Sequence, residues 1–156
     1  MTDVVDRKTR SRMMSGIRGK DTKLELIIRK RLHALGFRYK LHNKQLPGKP
    51  DMVFPKYKAV ILVNGCFWHG HNCHLFKWPS TREKFWRNKI TRTKEKDKEN
   101  IERLLSAEWR ILQIWECAIK GKEKIPIDKV IEKCSTWLES SQKQLDIRGI
   151  SKKEDA

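Results

Sequence analysis

The stretch Ala59-Val60-Ile61-Leu62-Val63-Asn64-Gly65-Cys66-Phe67-Trp68-His69-Gly70-His71-Asn72-Cys73 constrains this chain more than any other part of it. It begins as an unbroken aliphatic and β-branched run. Such a run is too short for a buried helix and suits a strand covered on both faces. At Gly65 the character changes, and cysteines, histidines and two large aromatics alternate with small residues. A core strand that empties into a loop of this kind is how a rigid scaffold presents ligands and titratable groups.

The segments on either side read as support for that corner. Thr22 and Glu25 have the spacing of a capping box, and Leu24, Ile27, Ile28, Leu32 and Leu35 form one helical stripe that ends at Gly36. Phe37, Tyr39 and Leu41 alternate with polar residues, which predicts a half-buried strand. After a Leu-Pro-Gly turn, Asp51 opens a short strand at Met52-Val53-Phe54. Ser80 and Glu83 again have capping-box spacing, and a helix is expected to run from there to about Ser106. Its middle, Thr91 to Glu99, is almost wholly polar, so it faces solvent or a charged partner. A strand follows at Trp109–Trp115, then a last helix after Pro126 with Val130, Ile131, Cys134, Trp137 and Leu138 on one face. The two strands flanking the long helix can be parallel if that helix serves as the crossover. The expected fold is α/β, a mixed sheet with helices on both faces and polar residues fraying after Ser140.

With 156 residues the chain is expected to form one domain, and six Trp and five Phe argue against disorder despite the high charge. A formal net charge of +17 points to a polyanion, with nucleic acid the default. A membrane surface is the weaker alternative, because no basic amphipathic helix stands out. Residues 1–20 carry Arg7, Lys8, Arg10, Arg12, Arg18 and Lys20 around Met13-Met14 and read as a basic arm along a phosphate backbone. The N-terminus lacks the apolar segment of a signal peptide and no run reaches membrane-spanning length, so a cytosolic protein is expected. In a reducing compartment four cysteines read as ligands or core residues before disulfides.

Cys66, His71, Cys73 and Cys117 can form a tetrahedral zinc site, with His69 and His74 competing for the histidine place. The plainer reading is buried thiols and surface histidines. Cys134, on an apolar helix face, reads as a core thiol. Asp51, at a strand start, can hold Mg2+ with a backbone carbonyl and substrate phosphate completing the shell. His69 is the natural general base. Glu25 is a second acidic candidate, although a capping role alone would account for it.

Several of these residues together resemble one family. Pro50-Asp51 after the Leu-Pro-Gly turn, and Gly65-Cys66-Phe67-Trp68-His69-Gly70-His71, are similar to the very-short-patch mismatch repair endonucleases. So are Thr9-Arg10-Ser11 with Met14 and Ile17, Asp21-Thr22 with Glu25, Phe85-Trp86, and Trp115-Glu116-Cys117. The resemblance covers about residues 7 to 120. It implies a restriction-endonuclease-like fold and a Mg2+-dependent nick of double-stranded DNA, 5′ of the thymine in T:G pairs left by 5-methylcytosine deamination. It assigns Asp51 and the main-chain carbonyl of Val63 to Mg2+, His69 to the base, and Cys66, His71, Cys73 and Cys117 to structural zinc. Phe67, Trp68 and Trp86 would wedge beside the mismatch, with Met14 entering from the other groove; apolar wedges of this kind unstack base steps at roughly a few kcal/mol. Asn64 stands where the family commonly has a histidine at the metal site, and an amide cannot transfer a proton at neutral pH.

On this reading residues 1–20 are a DNA-contacting arm, 21–140 the endonuclease domain and 141–156 a polar tail. The expected partners are mismatched DNA, a mismatch-repair matchmaker protein and a DNA polymerase, for a bacterial monomer found on the nucleoid when bound. The competing readings are a restriction-type nuclease of the same fold with another target, and a non-catalytic zinc-stabilised DNA-binding module.

Overall fold

The computed structural model describes residues 23–150. Within them a five-stranded mixed sheet is packed by three helices. Helix α1 (Lys23–Ala34) leads to the edge strand β1 (Lys40–Leu41), then β2 (Met52–Phe54) and the central β3 (Ala59–Asn64). The long helix α2 (Glu83–Ser106) crosses to β4 (Arg110–Trp115), and α3 (Ile127–Leu138) crosses to β5 (Gln144–Ile147). The strand order is β1-β2-β3-β4-β5. The first three strands are antiparallel, whereas β3–β4 and β4–β5 are parallel.

The period of two along β3 and β4 divides the core. Ile61, Leu112 and Ile114 face Ile28 and Leu32 of α1 and Val130, Cys134, Trp137 and Leu138 of α3. Val60 and Ile111 face the other way, onto Leu104 and Ile101 of α2. Each face of the central strands is therefore covered, as their continuous apolar run requires. Arg31 of α1 bonds Asp128 of α3 at 2.9 Å across the first layer. Among the described residues no helix is long and apolar enough to cross a membrane.

Three sequence expectations change. The strand expected from Phe37 to Leu41 shrinks to two residues, because Phe37 turns into the core while Lys40 and Leu41 lie exposed on the sheet edge. The Ser80 capping box does not form. Arg82 stands at the helix start with a left-handed φ of 51° and no side-chain cap bond. Finally, residues expected to fray after Ser140 supply β5, with Leu145 and Ile147 packed on the core between exposed Gln144 and Asp146. Their polar composition hides a short alternation that only a neighbouring β4 makes into a strand. The capping-box partner Thr22, the basic arm and Met14 lie outside the described residues, as does the end of the expected tail.

Candidate active site and metal centre

Two clusters of ligating side chains flank the C-terminal end of β3. The first is built on the turn that follows Gly65. His71 N–H donates to the Cys66 carbonyl at 2.9 Å and Cys73 N–H to the His71 carbonyl at 2.9 Å, which folds the loop back on itself. Gly70 permits this. Its φ is +59°, and a Cβ there would meet Ile90 of α2 at 2.7 Å, so only glycine lets the loop lie against the helix. Cys117 arrives on the short helical turn after β4, the strand paired with β3.

The Sγ atoms of Cys66, Cys73 and Cys117 and a ring nitrogen of His71 all lie within 4.8 Å of one another. Burial pushes the Cys66 and Cys117 thiols up, chiefly by desolvation. Burial likewise lowers His71 to about 4, helped by nearby Arg148, so its imidazole is neutral. A neutral imidazole and three crowded sulfurs are the donor set that Zn2+ takes, and the ion supplies the charge that makes thiolates tolerable there. The residues fit the ion. The surroundings fit it too: Cys117 N–H donates to Cys66 Sγ at 3.3 Å and Gly149 N–H to Cys117 Sγ at 3.2 Å. The His71 ring stacks on Trp115 at 3.9 Å between centroids. Outer contacts of this kind hold ligands in place.

His69 and His74 are not in this cluster. His74 Nδ1 pairs with Glu123 at 3.0 Å, and His69 Nδ1 pairs with Asp97 of α2 at 2.5 Å. Cys134 is fully buried on α3, a core thiol.

The second cluster brings Asp51, Glu25 and His42 together, with one ligand atom from each within 4.8 Å of the others. Asp51 sits just before β2 and accepts the Val63 N–H at 2.7 Å. In a strand the N–H and C=O of one residue point to the same side, so the Val63 carbonyl opens toward the same edge. Glu25, on α1, is 1% exposed and pairs with His42 Nε2 at 2.8 Å and Arg29 at 3.1 Å. Asp51 is raised to about 6, first by burial and then by Glu25, against the opposing Val63 bond and His42. Two carboxyls in one buried place favour a proton on one of them or a bound cation, and oxygen donors of this kind suit a hard divalent ion.

Asn64 is buried on the opposite side of the β3 backbone. Its amide donates to Gln113 at 2.9 Å, and Gln113 in turn donates to Asp146 of β5 at 3.3 Å. A carboxylate accepts only, so it fixes the orientation of both amides along this row.

Next to the first cluster the aromatics gather. Phe67 lies 5.3 Å from Trp68 and 5.4 Å from Trp86, and Trp68 lies 5.9 Å from Trp86. All three are partly exposed. Beside them Phe85 is 42% and Trp78 41% exposed, each under an arginine: Arg82 at 4.3 Å and Arg87 at 4.5 Å. Exposed rings topped by cations form a face that bases and phosphates can meet.

Sequence reasoning passed over His42 and Asp97. His42 occupied a polar slot of an alternating segment, and Asp97 sat among lysines on a polar helix. Nothing local marked either, and both meet their partners only through tertiary packing.

The comparisons with known proteins agree with one another. A family model described as DNA mismatch endonuclease Vsr matches residues 2–75. The chain is 41% identical over 152 residues to the DNA mismatch endonuclease Vsr of Escherichia coli strain K12, which covers 96% of this chain and 97% of that protein. It is 39% identical over 119 residues to the Type II nicking enzyme V.XorIIP of Xanthomonas oryzae pv. oryzae, 76% of this chain and 88% of that one. It is 41% identical over 122 residues to the Type II nicking enzyme V.NmeAIP of Neisseria meningitidis serogroup A, 78% of this chain and 87% of that one. Similarity that runs almost end to end through both clusters and the aromatic face places the chain in the Vsr family of DNA mismatch endonucleases.

Proposed function

We propose that the protein nicks double-stranded DNA 5′ of the thymine in a T:G mismatch by Mg2+-assisted hydrolysis, on a restriction-endonuclease-like fold. The observation that carries the reading is the second cluster. A part-buried Asp51 carboxylate faces the Val63 edge of the central strand, beside Glu25, in a chain with net charge +17. Asp51 and the Val63 carbonyl would hold Mg2+. When bound, that ion polarises a phosphoryl oxygen and acidifies a water.

The chain's own residues do the rest. His69 is the base. Asp97 accepts from its Nδ1, which leaves the lone pair on Nε2 free to take a proton. Asn64, whose amide does not titrate near neutral pH and is held by Gln113, transfers no proton. The zinc centre formed by Cys66, His71, Cys73 and Cys117 holds the loop that carries His69, Phe67 and Trp68. Those two rings and Trp86 wedge at the mismatch, where unstacking is cheaper than at a paired step. Met14 reaches the other groove. In this reading the protein works as a monomer in the bacterial cytoplasm, on the nucleoid. It leaves the nick to a mismatch-repair matchmaker and a DNA polymerase.

A second reading, sequence-directed nicking with another target, is favoured by the relatives named Type II nicking enzymes. One assay separates the two. A labelled T:G duplex and its C:G twin are incubated with Mg2+ and with EDTA. A nick 5′ of the thymine, only in the T:G duplex and only with Mg2+, is expected. Equal cutting of the twin would remove mismatch specificity, and intact DNA in every lane would remove the nuclease.

Asp97 gives a finer test. Asp97→Asn should lower kcat by about 10- to 100-fold, the scale lost when an orienting partner of a functional imidazole is removed. KM for the T:G duplex should hardly move. A raised KM with unchanged kcat would place Asp97 in DNA binding instead.

A further inference from the structure

We infer that His42 is a ligand of the active-site divalent ion, so that this site offers a nitrogen donor beside its oxygens and accepts Mn2+ in preference to Mg2+. The inference rests on the second cluster being the catalytic metal site, as proposed above.

The backbone puts the imidazole there. His42 lies one residue beyond β1, where its N–H donates to the Asp51 carbonyl at 3.1 Å and extends the β1–β2 pairing by one step. Its φ is 48°, a left-handed conformation that histidine adopts more readily than most residues. That turn brings the ring back over Glu25, with Nε2 2.8 Å from Oε2. Adjacent ligands of an octahedral ion with bonds of about 2.1 Å stand about 3 Å apart, so the Glu25–His42 spacing is already that of two neighbouring ligands. Asp51 completes a triad whose ligand atoms span no more than 4.8 Å.

The charges allow it. Glu25 and Asp51 bring two negative charges when ionised, and Arg29 brings one positive charge from the Glu25 side. A divalent ion would leave the site at plus one, a charge that one substrate phosphodiester neutralises. The His42 side chain is 13% exposed and that of Glu25 2%, so the pair lies inside the protein, where a bound ion would be shielded from bulk water.

The chemistry then separates the metals. Mg2+ is held by oxygen and keeps its waters, whereas imidazole suits later first-row ions, whose affinity for nitrogen sites rises along the series from Mn2+. The Asn64 amide is tied into the Gln113–Asp146 row and is no nitrogen ligand for an ion. The nitrogen of this site therefore comes from the opposite edge of the hairpin.

The test uses the full chain with zinc in place and Mn2+ added, without DNA. Pulsed electron paramagnetic resonance should show 14N modulation from a directly bound imidazole. Growth with 15N-histidine should convert the pattern to that of 15N, which needs no substitution. His42→Gln should abolish the modulation and weaken Mn2+ binding by about ten-fold or more, whereas His69→Ala should leave both intact. The ratio of nicking with Mn2+ to nicking with Mg2+ should fall in His42→Gln. Bound Mn2+ without nitrogen modulation, or a modulation that survives His42→Gln, overturns the assignment, and so does a failure of Mn2+ to bind. Nitrogen modulation in a protein that cuts T:G and C:G duplexes alike would defeat the mismatch reading and leave His42 as a ligand.

Discussion

Asp51→Asn is expected to abolish nicking, by about a thousand-fold or more, while T:G duplex binding persists. The size follows from the role. Polarisation of a phosphoryl group by a bound ion is worth several kcal/mol, and each 1.4 kcal/mol is about ten-fold in rate. The fold should survive, because an asparagine oxygen can still accept the Val63 N–H that Asp51 now accepts at 2.7 Å. A linked stability effect gives the result a second readout. Burial raises the Asp51 carboxyl to about 6 from 3.8, so the folded state favours the protonated form. That contribution to stability is full below pH 4 and is lost as pH rises through 6. The isosteric amide has no such loss. Without Mg2+ at pH 7.5 the inactive variant should therefore melt higher than the wild type, and at pH 4 the difference should vanish. Mg2+ binding to the wild type should strengthen over the same rise in pH. A variant that cuts normally would remove Asp51 from the chemistry. One that melts lower at pH 7.5 would remove the argument that function maintains a strained charge here.

Cys117→Ser is expected to have the largest effect on stability. The substitution removes one of the four side chains that could hold zinc and also the sulfur to which Gly149 donates. Structural zinc contributes free energy directly to folding, about 10 kcal/mol or more in small zinc domains that have little else. Here a two-sided hydrophobic core carries much of the fold, so the loss should be partial. A loss of about 4 kcal/mol corresponds to a fall in Tm of about 8 to 16 °C for a chain of this size. Zinc content should drop from one ion per chain to less than half, and strong chelation of the wild type should give the same fall in Tm. Wild-type protein that lacks zinc and melts unchanged would dismiss the centre. Cys134→Ser is the control. That thiol is buried among apolar residues and raised to about 12 by burial, so the variant should lose stability and keep its zinc.

How much of this was legible depended on distance along the chain. The central strand and its loop could be read because residues 59–73 carry both the apolar run and three of the four sulfur and imidazole ligands. Cys117 was legible because a parallel β4 has to end beside β3. Glu25 was visible but explicable as a cap, and its burial against His42 and Arg29 gives it a second reading. His42 and Asp97 were invisible because each is defined by a partner from another element, 17 and 28 residues away. The strand β5 was lost for a similar reason. Four residues with only two apolar positions look like a tail until a neighbouring strand pairs with them.

The sheet has one further consequence, in the order of events as the chain collapses. The β2–β3 hairpin closes over Pro55–Lys58 alone, whereas the β3–β4 pairing must wait for the 24-residue α2 to be laid down between its partners. Near contacts form sooner than remote ones. The proposed Asp51 side of the site is thus expected to form early, and the proposed His69 side, held by Asp97 of α2 and by the corner at Cys117, late. On the proposed function, a half-folded copy is expected to hold one side of the site without the other and to leave DNA uncut.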